Sequence, residues 1–246
     1  AGIENVYVSQ IINSFNRDIG SSSKYFSDNK EVLENILVIP SFWYNKTLNY
    51  KTFMVPGILV LLVTMLTLFL SSMNIVKEKE LGTLEQINVT PIKKYQFIIG
   101  KLFPFWILGL VILTLGLVIS KVVFDVPMLG NILLVYLFTA VYLLLILGIG
   151  LFISNHTDTQ QQAMFIAWFF MVIFILMSGL FTPIESMPKW AQNITLINPI
   201  RYFVEVMRMV MLKGSGFLAI IPQFVIIVLY AFLMNGLAVW SYKKTN

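Results

Sequence analysis

Five long apolar runs, separated by short polar segments, dominate this sequence of 246 residues. Four of the runs contain no charged residue, and the fifth carries only Lys101, close to one end. A helix needs about 20 consecutive, mainly apolar residues to cross the hydrocarbon core of a bilayer. The runs therefore predict five membrane-spanning helices, at about 53–76, 97–120, 128–154, 161–181 and 217–240.

Composition excludes the soluble alternative. Apolar residues make up 58% of the chain and charged residues 12%, whereas a soluble domain is about 25% charged. The chain has no Cys and a single His, His156. Disulfides and thiol chemistry are therefore excluded, and a metal site is not expected. The net charge of +5 comes mostly from loops, where membrane topology explains it better than nucleic-acid binding does.

Lysines are concentrated in the longest polar loop, 77–96. The positive-inside rule places such a loop in the cytoplasm. The C-terminus and the turn at 155–160 then also lie inside, and residues 121–127 and 182–216 lie outside. Four basic residues in the predicted outer segment oppose this orientation: Lys189, Arg201, Arg208 and Lys213.

The predicted orientation also puts residues 1–52 outside, where they form the end of an extracytoplasmic domain. Five spans with an inside C-terminus require something upstream that carries residue 1 across the membrane. We therefore expect a first transmembrane helix and part of the outer domain to precede Ala1 in the native protein.

The loop 77–96 has a helical pattern of its own. The helix of the first span is predicted to continue through 77–80, after which Leu81, Leu84 and Ile87 recur with the spacing of one apolar stripe. Thr90 and Pro91 form a helix start signal. A short amphipathic helix of this kind either rests on the lipid head groups or docks a soluble partner.

The run EKELGTLEQINVTPI resembles the cytoplasmic loop of ABC-2 type permeases of the drug-export branch, which carries an E-K-E-x-G-T-x-E-Q pattern followed by T-P or S-P. Four further stretches resemble the same family in the same order. They are W-Y-N through M-V-P-G at 43–57, T-Q-Q-Q-A at 159–163, G-L-F-T-P-I-E-S-M-P at 179–188, and N-P-I-R-Y-F with L-K-G at 198–214. The resemblance covers roughly residues 40–246.

The resemblance implies an all-α integral membrane protein with the ABC-2 exporter fold, multi-pass in the plasma membrane and, in bacteria, the inner membrane. Such permeases have six spans, of which five are present here, and an outer segment at 182–213 that forms two short re-entrant helices. It further implies that two ABC ATPase subunits and a second permease, identical or homologous, are the partners, with membrane lipids around them and no nucleic acid.

The resemblance also implies an ATPase-coupling helix in the cytoplasmic loop. Leucine and isoleucine would supply apolar burial, the acidic residues and glutamine polar register, and glycine a close approach. The residues concerned are Glu80, Leu81, Gly82, Thr83, Leu84, Glu85, Gln86 and Ile87.

No catalytic, cofactor or metal site is predicted. The chain lacks G-x-x-x-x-G-K-[ST], so ATP hydrolysis is expected on a partner rather than here. A helix over 199–212 would place Arg201, Glu205 and Arg208 on one stripe. That stripe is either a local ion-paired face or the lining of the outer mouth of a translocation path.

Three functions fit these observations: an ATP-driven exporter permease, a secondary carrier or channel, and a membrane scaffold. Ion-coupled carriers usually need a buried carboxylate or charged relay, and the predicted spans contain almost no ionisable group. Coupling to an external motor, and a hydrophobic or amphipathic cargo, are therefore expected.

Overall fold

A computed structural model of the chain describes residues 14–15, 50–83 and 93–241. The chain divides into two units, residues 1–42 and 43–246. In the first unit only Ser14 and Phe15 are described, and both are helical and exposed. The proposed extracytoplasmic segment 1–52 therefore lies almost wholly outside the described residues and stays a prediction.

The second unit is helical, and its described residues include no strand. This confirms the all-α prediction. The helices are α1 (Tyr50–Glu80), α2 (Lys94–Val122), α3 (Ile132–Asn155), α4 (Gln160–Leu176), α5 (Lys189–Thr195), α6 (Pro199–Met211) and α7 (Phe217–Ser241), with a short 3-10 turn at Ile184–Ser186.

Four described helices, α1, α2, α3 and α7, are long and apolar enough to cross a membrane. The predicted spans 53–76, 97–120 and 217–240 each lie inside one of them. The span predicted at 128–154 begins later, because α3 starts at Ile132. The Asn131 side chain caps that start by accepting a hydrogen bond of 2.9 Å from the Leu133 N–H.

The span predicted at 161–181 differs most from the structure. Its helix, α4, has 17 residues and ends at Leu176, and the chain then turns at Gly179, where φ is +77°. The carbonyls left over at this helix end find partners: Asn198 donates to Phe174 O at 2.7 Å and Ser178 to Ile175 O at 2.7 Å. Hydropathy does not register such a turn, because the residues in it are themselves apolar.

Helices α1 and α3 form the centre of the bundle. In their most apolar stretches 50% of the residues are buried, against 22% in α2 and 17% in α7. The two central helices approach closely at Gly150, where an added Cβ would lie 2.6 Å from the Cβ of Ser71. The outer faces of α2 and α7 are apolar and uncovered, as expected for helices that contact lipid.

The short helix α6 completes the core. Its aromatic residue Phe203 is fully buried and its ring lies 4.3 Å from that of Tyr142 on α3. The Tyr142 hydroxyl is in turn hydrogen-bonded to Thr64 on α1 at 2.8 Å. One aromatic cluster thus joins α1, α3 and α6.

Neither α5 nor α6 is long enough to cross a membrane, since 13 residues of α6 extend about 20 Å against a hydrocarbon core of about 30 Å. Both lie in the segment 182–213 that the sequence predicts as re-entrant, and their entry into a bilayer stays a prediction. We call the end of the bundle where α1 begins and α4 ends the far end. The opposite end, where α1 ends and α2 begins, is the loop end.

Candidate functional site

The last turn of α1 brings the predicted coupling loop to the loop end. As the sequence predicts, α1 continues as a helix beyond the apolar stretch and ends at Glu80. Three consecutive charged residues in this turn, Glu78, Lys79 and Glu80, each contact a different helix or turn. They therefore determine how the loop is attached to the bundle.

Lys79 caps the C-terminus of α3. Its ammonium group donates hydrogen bonds to the carbonyls of Ser154, Asn155 and Thr157, at 3.3, 3.1 and 2.9 Å. A helix ends with unsatisfied carbonyls and a partial negative charge, and a lysine has three donors to offer. Charge and donor number therefore both match this helix end.

Glu80 caps the N-terminus of α4. One carboxylate oxygen accepts from the backbone N–H of Gln160 at 2.8 Å, and the other accepts from the Gln160 side chain. Helix N-termini have unsatisfied N–H groups and a partial positive charge. The side-chain and backbone hydrogen bonds from Gln160 lower the pKa of Glu80, so the carboxylate is charged at neutral pH.

Glu78 joins α1 to α2. Its carboxylate forms an ion pair with Lys101 and accepts a hydrogen bond from the Thr83 hydroxyl. Glu78 lies beyond the apolar part of α1, which ends at Val76. The hydrogen bond from Lys101, followed by that from Thr83, lowers the pKa of Glu78. Lys101, the one charge in the predicted spans, is therefore paired.

The α3–α4 turn is held to α1 and α7 as well. The Ser154 hydroxyl accepts a hydrogen bond of 3.0 Å from the Val76 N–H. Asn155 donates to Ala238 O and to the Ser241 hydroxyl on α7, both at 2.8 Å. The loop end is therefore a polar network centred on the turn between α3 and α4.

Half of the predicted coupling helix is described. Leu81 is 63% exposed; Gly82 has a φ of +69° with nothing within 4 Å of where a Cβ would lie; and Thr83 hydrogen-bonds to Glu78. Glu80, which was predicted to face a partner, is bonded to Gln160 in this chain. Leu84, Glu85, Gln86, Ile87, Thr90 and Pro91 lie outside the described residues, and described α2 begins only at Lys94.

The predicted outer stripe lies on α6, and its members contact different elements. Arg201 donates to the Thr195 hydroxyl of α5 at 2.6 Å, and Glu205 accepts from Gln223 of α7 at 3.0 Å. Arg208 lies over the ring of Phe53 of α1, 3.7 Å from its centroid. The three side chains thus connect α6 to its surroundings, while lining of a path stays a prediction.

Sequence reasoning missed Lys79, Ser154, Asn155 and Gln160. None of them carries a sequence signal of its own, and each bonds to a partner about 75–86 positions away. The one available signal is the order of charge: a lysine followed by a glutamate, facing a turn where one helix ends and the next begins. This signal can be interpreted only when it is known which helices pack against one another.

The described residues contain no group of three or more His, Cys, Asp or Glu side chains that could hold a metal ion. Glu78, Lys79, Glu80 and Asn155 at the loop end are bonded to other side chains and to helix termini. This arrangement connects α1 to its neighbouring helices, so that a displacement of one helix can be passed to another. It resembles a mechanical connection rather than a reaction centre.

A family profile described as "ABC-2 family transporter protein" matches residues 3–240. The chain belongs to the ABC-2 transporter family. The resemblance noted in the sequence is thereby confirmed. With its apolar helices, this ABC-2 chain is a multi-pass protein of the plasma membrane.

Similar proteins include three from Escherichia coli (strain K12). The probable multidrug ABC transporter permease YbhR is 34% identical over 210 residues, which is 85% of this chain and 55% of that protein. The probable multidrug ABC transporter permease YbhS is 28% identical, over 88% of this chain and 58% of that protein. The inner membrane transport permease YhhJ is 29% identical, over 98% of this chain and 63% of that protein.

The chain therefore spans a little over half the length of these curated relatives. No solved structure matches it significantly.

Proposed function

We propose that this chain is the membrane-spanning part of an ABC exporter permease, which moves a hydrophobic or amphipathic cargo outward with energy from separate ATPase subunits. The observation that carries the proposal is the pair of charge-matched helix caps at the loop end. Through these caps, and through the ion pair between Glu78 and Lys101, a loop of the length and pattern expected for ATPase coupling is attached to α2, α3 and α4 at once. The names of the relatives point the same way.

The proposed coupling runs through the last turn of α1. A bound ATPase would displace the loop 77–96, which we place in the cytoplasm. Lys79 and Glu80 would pass that displacement to the end of α3 and the start of α4, and Glu78 to α2. The predicted docking residues then divide into two groups: Glu80 and Thr83 anchor the loop, while Leu81, Leu84, Glu85 and Ile87 meet the partner.

A second permease subunit, identical or homologous, would cover the free face of α1. Ile58, Leu62, Met65 and Leu66 recur at helical spacing and are 40–50% exposed, although α1 is a central helix. Between transmembrane helices, such faces associate through packing and lipid release. The assembly proposed here therefore has two permeases and two ATPase subunits.

An external motor fits this chain better than ion coupling. The stretches 53–76, 128–154, 161–181 and 217–240 contain no Asp, Glu, Lys or Arg, and Lys101 in α2 is paired with Glu78. A secondary carrier would need an ionisable relay inside the membrane. An apolar interior instead suits a cargo with apolar surface.

The direct test is purification of the full-length protein from its own membranes. A bound ABC ATPase, identified by mass spectrometry, and ATP hydrolysis that responds to candidate cargo after reconstitution are the expected results. Purification without any ATPase, together with cargo transport driven by an ion gradient alone, would show that the protein is a secondary carrier.

Two loop variants test the docking residues. Leu84→Asp should remove about 1.5–3 kcal/mol of apolar burial and Glu85→Lys should add repulsion at the interface, so both should release the ATPase from a folded, inserted permease. Lys244→Glu in the C-terminal tail is the matched control. ATPase binding and hydrolysis that are normal in both loop variants would remove the loop from the mechanism.

A further inference from the structure

An apolar groove of about 460 Å³ lies between α2 and α7, with α3 as its floor. Its lining includes Tyr95, Ile99 and Trp106 on α2, Leu144 on α3, and Asn235 and Val239 on α7. The groove therefore lies between the two long helices that are least buried in the bundle, on a side that faces the bilayer.

Apart from exposed Tyr95 at its mouth, the groove presents no free side-chain donor to an occupant. The Trp106 indole N–H donates to Ala140 O at 2.9 Å. The Asn235 amide donates to Leu144 O and Ala231 O, at 2.9 and 2.8 Å. The side-chain donors of Trp106 and Asn235 are thus already used within the protein. An occupant of this part of the groove therefore needs to be hydrocarbon.

The length of the groove matches one leaflet. From Tyr95 to Trp106 helix α2 rises about 16 Å, roughly half of the hydrocarbon thickness of a bilayer. A transmembrane helix of a partner protein would need the full thickness. An acyl chain of one lipid, entering from the loop end, needs half of it.

A basic residue stands at the mouth of the groove: exposed Lys93 immediately precedes α2. No Asp or Glu occurs between residues 87 and 124 or after Glu205. Tyr95 and Trp240 flank the mouth with exposures of 50% and 84%, as aromatic residues do at the level of lipid head groups.

We propose that this groove is a binding site for an anionic phospholipid, with one acyl chain between α2 and α7 and the phosphate-bearing head group beside Lys93 at the mouth. Lysines near a membrane surface favour anionic lipids by about 1 kcal/mol each, or about fivefold in affinity. The hydrocarbon chain supplies binding energy, and Lys93 supplies the selection of head group.

The test is a lipid titration of the full-length protein in detergent, followed by native mass spectrometry. The probes are dioleoyl phosphatidylglycerol and dioleoyl phosphatidylcholine, which share their acyl chains. The wild-type protein should bind phosphatidylglycerol more tightly. Replacing Lys93 by Gln should reduce this preference by about fivefold, whereas Lys121→Gln, at the other end of α2, should leave it unchanged.

Ile99→Trp fills the groove at a residue that is 61% exposed, so the variant should fold and lose binding of both lipids. Ile107→Trp, on the same helix outside the groove and 44% exposed, is its control. Equal affinity of the wild-type protein for the two lipids, or equal effects of Ile99→Trp and Ile107→Trp, would overturn the proposal. A change in oligomeric mass caused by Ile99→Trp would also overturn it, because the occupant would then be a second copy of the chain.

Discussion

The two ends of α1 are attached to the bundle by different forces. At the loop end, Glu78, Lys79 and Glu80 form charged hydrogen bonds with α2, α3 and α4. At the far end, α1 is held by packing: the position of a Cβ on Gly57 is only 2.1 Å from the Leu180 side chain, and the ring of Phe53 lies under Arg208 in a cation–π contact rather than a hydrogen bond.

The difference indicates that one end of the bundle determines the stability of the fold and the other determines how the helices are positioned. Apolar burial is non-directional and grows with area, and tightly packed groups resist displacement. Charged hydrogen bonds near an aqueous surface require a defined geometry and contribute little net free energy, except where their loss leaves buried carbonyls unsatisfied. The far end should therefore carry the stability of the fold, while the loop end should set the position of the helices relative to the loop.

The largest expected effect is at the far-end core. Phe203→Ala removes a fully buried ring that contacts Tyr142, and a truncation of this kind costs about 3–5 kcal/mol. Phe232→Ala, at a residue that is 76% exposed, is the control. Denaturant titration in mixed micelles measures both, and equal losses would contradict the assignment of stability to this cluster.

Lys79→Met should have the next largest effect. It leaves the carbonyls of Ser154, Asn155 and Thr157 without their ammonium donor, at a cost of about 1–3 kcal/mol. Lys77→Met, at an exposed residue in the same turn, should be nearly neutral. If the polar network at the loop end transmits the coupling proposed above, Lys79→Met should also reduce cargo-stimulated ATP hydrolysis more than basal hydrolysis. Equal stability of the two variants would show that Lys79 is not a cap.

The turn after α4 should show a backbone effect of smaller size. Gly179→Ala places a side chain at a φ of +77°, which costs about 1–2 kcal/mol for an L-residue. Its Cβ would also lie 2.9 Å from the Ile184 side chain. Gly236→Ala in helical, open surroundings should instead stabilise by about 0.5–1 kcal/mol. A melting temperature that falls for the first variant and rises for the second is the expected pattern, and a fall for both would contradict it.

Much of the bundle could be predicted from the sequence, because long apolar runs are a one-dimensional signal. The helices α1, α2 and α7 contain their predicted spans, and Asn198 followed by Pro199 begins α6 as cap and first residue. The early end of α4 could not be predicted in this way. It depends on a glycine turn and on Asn198, which caps Phe174 O from another segment.

The candidate site was only partly accessible for the same reason. The pattern 77–87 predicts a docking function for the loop, which stays a prediction, and it correctly extended α1 to Glu80. It did not reveal that Glu80 bonds Gln160, because local periodicity contains no information about which helix end lies opposite. Sequence patterns identify the apolar faces of helices. They do not identify the partners of charged side chains, because those partners come close only in the assembled bundle.

The smallest effect on stability, and the one most specific to the loop end, concerns the charge of Glu80. Hydrogen bonds from Gln160 lower its pKa below the usual value of 4.5. A carboxyl group whose pKa is depressed by folding stabilises the fold above its unfolded pKa, and that contribution is lost as the pH falls through the folded pKa. The melting temperature of the wild-type protein should therefore exceed that of Glu80→Gln at pH 7.

This difference should shrink as the pH is lowered from 4.5 through the depressed pKa, because the wild-type side chain then becomes neutral, as glutamine is. Asp158→Asn is the matched control: it removes a carboxylate from the α3–α4 turn, at an exposed residue for which the described part of the chain shows no side-chain bond to α1. Its difference from the wild-type protein should stay small at every pH. Melting curves between pH 7 and pH 3 decide the matter. A difference in melting temperature between the wild-type protein and Glu80→Gln that stays constant with pH would mean that the charge of Glu80 does not act on α4. The attachment of the loop end would then depend on geometry and not on this charge.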